Sequence, residues 1–161
     1  MNRSYDLESL NFHVSIDVTT DQYYGADHSD EPVQYEMDIP TSGMHSPHDL
    51  KFGFYKEKPP TEKLVHNLEH GDIVIHYRDG LDGETMEIIE YLTHFRKEGA
   101  GVLAVPDDAV PPGKEVVLTA WTKTMELTVF DGQKAGQFIY DHLNQGPEQI
   151  PAQIRRGGGT M

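Results

Sequence analysis

The chain of 161 residues contains no cysteine. This single absence excludes disulfides, thiolate nucleophiles, Cys-based zinc ribbons and iron–sulfur clusters. It also excludes a blue-copper centre, which requires a Cys thiolate. Basic residues are scarce: 13 Lys and Arg stand against 27 Asp and Glu, a formal charge of −14. That field repels phosphate backbones and anionic lipid surfaces, so nucleic acid is not an expected partner. No apolar run approaches the length of a transmembrane helix or of a signal-peptide core, so the chain is not expected to insert into a membrane. A trimmed export signal would leave the same sequence, and the compartment stays open on these grounds.

What is present reads as globular. Hydrophobic residues make up 37% and charged residues 25%, too apolar for a disordered chain. The length suits one domain, expected over residues 1–150, with 151–161 as a flexible tail. Apolar residues alternate at Phe12, Val14, Ile16 and Val18, the pattern of a strand. Residues 40–62 contain prolines and glycines with little periodicity and read as a long loop, a kind of segment that often carries function.

From residue 72 the signals are regular. Strands are expected at 72–77, 101–106, 115–121 and 126–130, the last two as a hairpin. A helix over 84–97 carries Met86, Ile89, Leu92 and Phe95 on one face, with Gly99 just beyond it. Asp131 caps a second helix running to about Asn144. The second half thus reads β-α-β-β-β-α. The expected fold class is α+β, a small two-layer sandwich of a mixed sheet and two helices, with a long loop-rich N-terminal part.

Six of the nine histidines fall between 28 and 76. Neutral imidazole is a good transition-metal ligand, and a metal can order loops that lack a hydrophobic reason to order. In "KLVHNLEHGDIVIHY" (63–77), His66 and His70 share a face whether the segment is helical or extended. Gly71 followed by a strand favours a short helix with a glycine cap, which brings Glu69 close to that face. A surface and packing role for the two histidines stands beside the ligand reading. The pattern His66-Asn67-Leu68-Glu69-His70 also fits H-x-x-E-H of a class of zinc peptidases. Pro59-Pro60 and Gly71 leave room for only about two turns, too short for such a helix. In "PTSGMHSPH" (40–48), Ser42-Gly43 permits a tight turn presenting Met44 and His45. A thioether beside an imidazole suits copper, Cu(I) in particular, although core filling is the commoner use of Met. His48 reads as exposed, His76 as a hydrogen-bonded sheet histidine, and His13, His94 and His142 as packing or surface residues.

Several short matches together resemble a bacterial and archaeal domain family of unknown function. They are "PTSGMH" (40–45), "GFY" (53–55), "LVHNLEHGDIVIHY" (64–77), "LTAW" (118–121), "FD" (130–131) and "PE" (147–148), in the family's order and spanning roughly residues 25–150. The family is marked by a Pro-Thr-Ser-Gly-x-His turn and a Val-His-x-Leu-Glu-His-Gly turn. Its members also carry a His ahead of a Tyr upstream of the first turn, here His28 with Tyr35. The resemblance therefore implies a site of His28, His45, His66 and His70. Met44 stands where the family usually has Pro, so its role as a ligand is not inherited. Phe52 replaces a residue that is sometimes Cys in relatives. Many relatives are tethered or exported, so the resemblance favours an extracytoplasmic location.

The leading expectation is a metal ion as partner, copper before zinc, bound by His45, His66, His70 and His28. Met44 is a further candidate ligand, and Glu69 a carboxylate that orients an imidazole or acts as a base. The alternatives are a metal-dependent oxidoreductase or hydrolase, with Tyr24, Tyr35, Tyr55 and Trp121 lining its pocket, and a metal-free interaction module.

Overall fold

The computed structural model describes residues 5–155. Its centre is strand β3 (Ile73–Tyr77), buried along its whole length. β3 pairs in parallel with β5 (Ala100–Pro106) and antiparallel with β6 (Val116–Ala120). Burial on both faces explains why these strands read as continuous apolar runs without alternation. β7 (Lys123–Leu127) extends the sheet beyond β6, β1 (Thr19–Thr20) beyond β7, and β2 (Gly53–Phe54) lies in parallel on the other side of β5. The short β4 (Arg96–Lys97) also pairs with β5. The expected α+β class with a mixed sheet is therefore what the chain adopts.

Among the described residues, three α-helices flank the sheet. α2 (Gly83–Leu92) and α3 (Gly132–His142) bury Ile89, Leu92, Phe138 and Ile139 against Ile73, Ile75, Val102 and Leu118. Each begins at an aspartate. Asp82 accepts from Thr85 N at 2.8 Å, and Asp131 from Gln133 N and Lys134 N at 3.0 and 3.1 Å. α1 (Thr61–Glu69) follows Pro59-Pro60 and ends at Gly71, whose φ of +99° favours glycine. Its Leu64 and Leu68 pack with Val74, Leu103 and Val105, which point to the opposite face of the sheet from Ile73 and Ile75. That face therefore carries an added layer of α1 and the loop before it.

Three local expectations shift. Residues 12–18 form no ladder, yet Ile16 and Val18 still pack on the main core. α2 stops at Leu92 because the Thr93 hydroxyl donates to Glu90 O at 2.6 Å and the chain turns back as β4. The hairpin turn is the two residues Trp121-Thr122, with Thr122 at φ +59°, so β7 starts at Lys123 rather than 126.

The segment after α3 returns across the end of α1. Asn144 N donates to Gly71 O at 2.8 Å and Glu148 N to Glu69 O at 3.0 Å. Residues 151–155, expected in a loose tail, are held down by Arg155, which is 2% exposed. Its guanidinium donates to Asp49 Oδ2 at 2.7 Å, to Asp72 Oδ1 at 2.7 Å and to Gly99 O at 3.0 Å. The rest of that tail, 156–161, lies outside the described residues.

Candidate metal centre

Two loops and one helix build the site. The Pro-Thr-Ser-Gly turn is pinned from several sides: Thr122 N donates to Thr41 O at 2.9 Å, and Tyr24 N to Ser42 Oγ at 2.8 Å. Gly43, at φ +117°, lets the chain turn against Tyr24 and Tyr35. The next residues zip in parallel to segment 25–29. Gly43 N donates to Gly25 O at 2.7 Å, His45 N to Asp27 O at 2.9 Å and Ser29 N to His45 O at 2.7 Å. This backbone bridge sets His28 beside His45. α1 brings His66 up to both.

The three rings form a nearly equilateral triangle. Centroids are 4.9 Å apart for His28–His45, 5.1 Å for His45–His66 and 5.2 Å for His28–His66. One ligand atom from each lies within 4.8 Å of the other two. Metal–imidazole bonds of about 2.0–2.1 Å require such donors to close inward by an ångström or so.

The backbone fixes which nitrogen faces inward. His45 Nδ1 donates to Gly43 O at 2.8 Å, His66 Nδ1 to Ser46 O at 2.7 Å and His70 Nδ1 to Glu148 O at 2.9 Å. A carbonyl can only accept, so each Nδ1 carries a proton and each Nε2 is the nitrogen left for a ligand. Carbonyl-anchored imidazoles of this kind are the usual support of metal-bound histidines. His66 Nε2 and His70 Nε2 are buried with no hydrogen-bond partner among the described residues. Two orphaned buried acceptors in one place are unusual, because each costs about 1–3 kcal/mol.

His70 stands apart from the triangle. Its ring centre is 4.6 Å from His66, on the side of the C-terminal segment, and its Nε2 lies 3.9 Å from Asp49 Oδ2. Glu69 Oε1 meets His45 Nε2 at 2.9 Å. With Nδ1 already donating, a second proton must sit between Nε2 and the carboxylate, and an ion bound there displaces it. Glu69 thus touches the Nε2 edge of His45, while the Gly43 carbonyl orients the ring from the Nδ1 edge. Met44 is 44% exposed and lines a separate hollow with Tyr24 and Tyr35, whose hydroxyl donates to Met44 O at 2.6 Å. Trp121 approaches His45 edge-on, with centroids 6.3 Å apart. Tyr55 lies with the α1-side core.

His48 is exposed, as expected. His76 is a buried sheet residue bonded to Asp107 Oδ2 at 2.9 Å. Sequence reasoning passed over the polar frame behind the site. Asn67 clamps the loop at Leu50 through two bonds of 2.9 and 2.8 Å and donates to Asp72 Oδ2 at 2.8 Å. Asn67 sits inside the histidine motif and Glu148 inside the quoted "PE" match, so both positions carried a signal.

A family model described as "Protein of unknown function (DUF3105)" matches residues 27–154. The chain belongs to that family. The match begins one residue before His28 and runs past Glu148, so all four candidate histidines lie within the DUF3105 region. Neither curated proteins nor solved structures gave a match.

Burial, with His70 and His45 nearby, pushes the His66 imidazole down to about 4. Burial also lowers His76, against the pull of Asp107, and His142. Each is neutral in the folded protein where an unfolded chain would bind a proton, below about 6.5. The sign follows: metal-free protein loses stability as pH falls through that value, with His66 contributing down to its folded value. Urea titrations at pH 7.5 and 5.5 in the presence of a chelator check this. Equal stability at the two pH values contradicts it.

Proposed function

We propose that this DUF3105 domain binds a transition-metal ion through His28, His45 and His66, with copper preferred and zinc as the competing ion. The observation that carries the reading is His66 Nε2, a buried lone pair with no hydrogen-bond partner among the described residues, facing two further imidazoles across a triangle. An all-imidazole set without thiolate suits Cu(II) and Zn(II), and for one such set the affinity order places copper above zinc. The exposed His28 gives the ion a way in and out, which fits a role in metal handling. Three protein ligands also leave a coordination position open, and Glu69 lies within hydrogen-bond reach of His45 Nε2. That arrangement supports a second reading, a metal-dependent oxidoreductase or hydrolase with Glu69 as base.

The test uses the chain without a His tag, dialysed separately against copper and zinc, beside the double variant His45→Ala/His66→Ala. One equivalent of ion is expected on the natural sequence and none on the variant. The spin-resonance spectrum of bound Cu(II) is expected to show imidazole nitrogen coupling. Equal binding by the two proteins places the ion elsewhere and overturns the proposal, and no binding by the natural sequence overturns it in favour of a metal-free interaction module.

A further inference from the structure

We propose that the face formed by α2 and the N-terminal segment is a docking groove for a basic amphipathic helix of a partner protein. The inference is independent of the metal-binding reading. Leu10 and Leu92 of the groove belong to the core on the Ile73 and Ile75 face of the sheet, whereas α1, which carries His66, packs on the other face.

The groove is apolar throughout its depth. Leu10 and Leu92, both buried, and the partly exposed Phe12, Ile88 and Tyr91 surround a hollow of about 350 Å³. Phe12, Ile88 and Tyr91 are 39%, 36% and 46% exposed. Tyr5, itself 38% exposed, continues the strip, with its ring centre 5.4 Å from that of Tyr91. Single exposed apolar residues are ordinary, but large ones joined along one groove mark a binding surface. The core does not account for them. α2 already buries Ile89 and Leu92, and a helix that served only the core would carry polar residues at 88 and 91.

Charge decides the kind of partner. Glu84 lies one helical turn before Ile88, and Glu87 one turn before Tyr91, so both exposed carboxylates flank the apolar stripe of α2. Asp131 lines the groove at the start of α3. The segment that supplies Leu10 and Phe12 also carries exposed Asp6 and Glu8. Against these acids stand Lys134, in the first turn of α3, and His94, stacked on Tyr5. A helix with apolar residues at i, i+3 or i+4, and i+7 fills the hollow, and Lys or Arg beside that stripe meets the acidic rim. A second copy of this chain would set the same acids against each other. An anionic lipid surface is repelled by the rim and by the formal charge of −14.

The probes are three labelled peptides of about four helical turns. One is Leu/Lys with leucine on a single face, one replaces each Lys by Glu, and one replaces each Leu by Ala. Each is titrated by fluorescence anisotropy against the natural sequence, Ile88→Ser/Tyr91→Ser, Phe12→Ser and Glu84→Gln/Glu87→Gln, with circular dichroism to check folding. The Leu/Lys peptide is expected to bind the natural sequence at one equivalent, about tenfold or more tighter than either counterpart. Ile88→Ser/Tyr91→Ser and Phe12→Ser, from opposite walls, are each expected to weaken it about tenfold. If one of the two does not fold, the other decides. Glu84→Gln/Glu87→Gln is expected to weaken it several-fold at low salt, and added salt should erase that difference. No binding by the Leu/Lys peptide overturns the proposal. So does binding that the wall variants leave unchanged, or that the Ala/Lys peptide equals, since either is general attraction to an acidic protein. Equal binding of the Leu/Lys and Leu/Glu peptides overturns the basic partner. Sedimentation velocity and phosphatidylcholine vesicles test the other occupants: a dimer, or vesicle binding, that the wall variants abolish assigns the groove to a second copy or to lipid and overturns the proposal.

Discussion

Replacing Arg155 with Met is expected to destabilise the protein by about 3–5 kcal/mol, the usual cost of removing one partner from a buried ion pair. For a chain of this size that is a fall in midpoint temperature on the order of 10 °C. The guanidinium spans Asp49 and Asp72, and all three side chains are fully buried. Burial pushes the Asp72 carboxyl above its usual range, and the bonds from Arg155 hold it back. Without the arginine, Asp72 keeps Asn67 and the Gly101 N–H, bonds of 2.8 and 3.0 Å, but loses its only cation among the residues bonded to it. The single variant should therefore recover part of its loss in mild acid, where Asp72 takes up a proton. The double variant Arg155→Met/Asp72→Asn should cost less than Arg155→Met alone, because Asp72 then no longer leaves a buried charge without its guanidinium. Denaturant melts of the three proteins form the measurement. A loss below about 1 kcal/mol for Arg155→Met would mean that the guanidinium is not seated between the two carboxylates.

The same network shows what a sequence can and cannot announce. Apolar runs and their breakers fix β3, β5, β6, α2 and α3 closely, since each of those signals is local. The two places where element ends moved, at Thr93 and at Trp121-Thr122, are decided by a side-chain bond and a tight turn that periodicity does not record. Of the histidine triangle, His45 was legible from its Ser-Gly turn and His66 from its short helix, whereas His28 came only from the family resemblance; the short α1 and its glycine cap follow from Pro59-Pro60 and Gly71. Arg155 was not legible at all. A pair of arginines between "AQI" and a glycine run reads as surface, and Asp72, the partner of Arg155, lies 83 residues earlier. Likewise nothing in the spacing of His66 and His70 separates one four-histidine site from a triangle with a fourth ring beside it. That division depends on where the C-terminal segment places Glu148.

An ion at the centre is expected to raise stability by about 2.7 kcal/mol when free metal is a hundredfold above its Kd. That corresponds to roughly 5–10 °C in midpoint for this chain length. A chelator should reverse the shift completely. The informative comparison is His66→Leu, which is expected to abolish the metal-dependent shift yet leave the metal-free protein within about 1 kcal/mol of the natural one. Leucine gives up one bond, His66 Nδ1 to Ser46 O, but also removes a buried nitrogen without a hydrogen-bond partner among the described residues. If the imidazole served only the fold, its loss would cost the metal-free protein more than the metal-loaded one gains. Thermal melts of both proteins, with metal and with chelator, separate these cases. Should His66→Leu respond to copper as the natural sequence does, the ion is not at this triangle. Should it lose several kcal/mol without metal, His66 is a structural residue. The expected pattern, a large effect with metal and almost none without it, is that of a side chain kept for its lone pair.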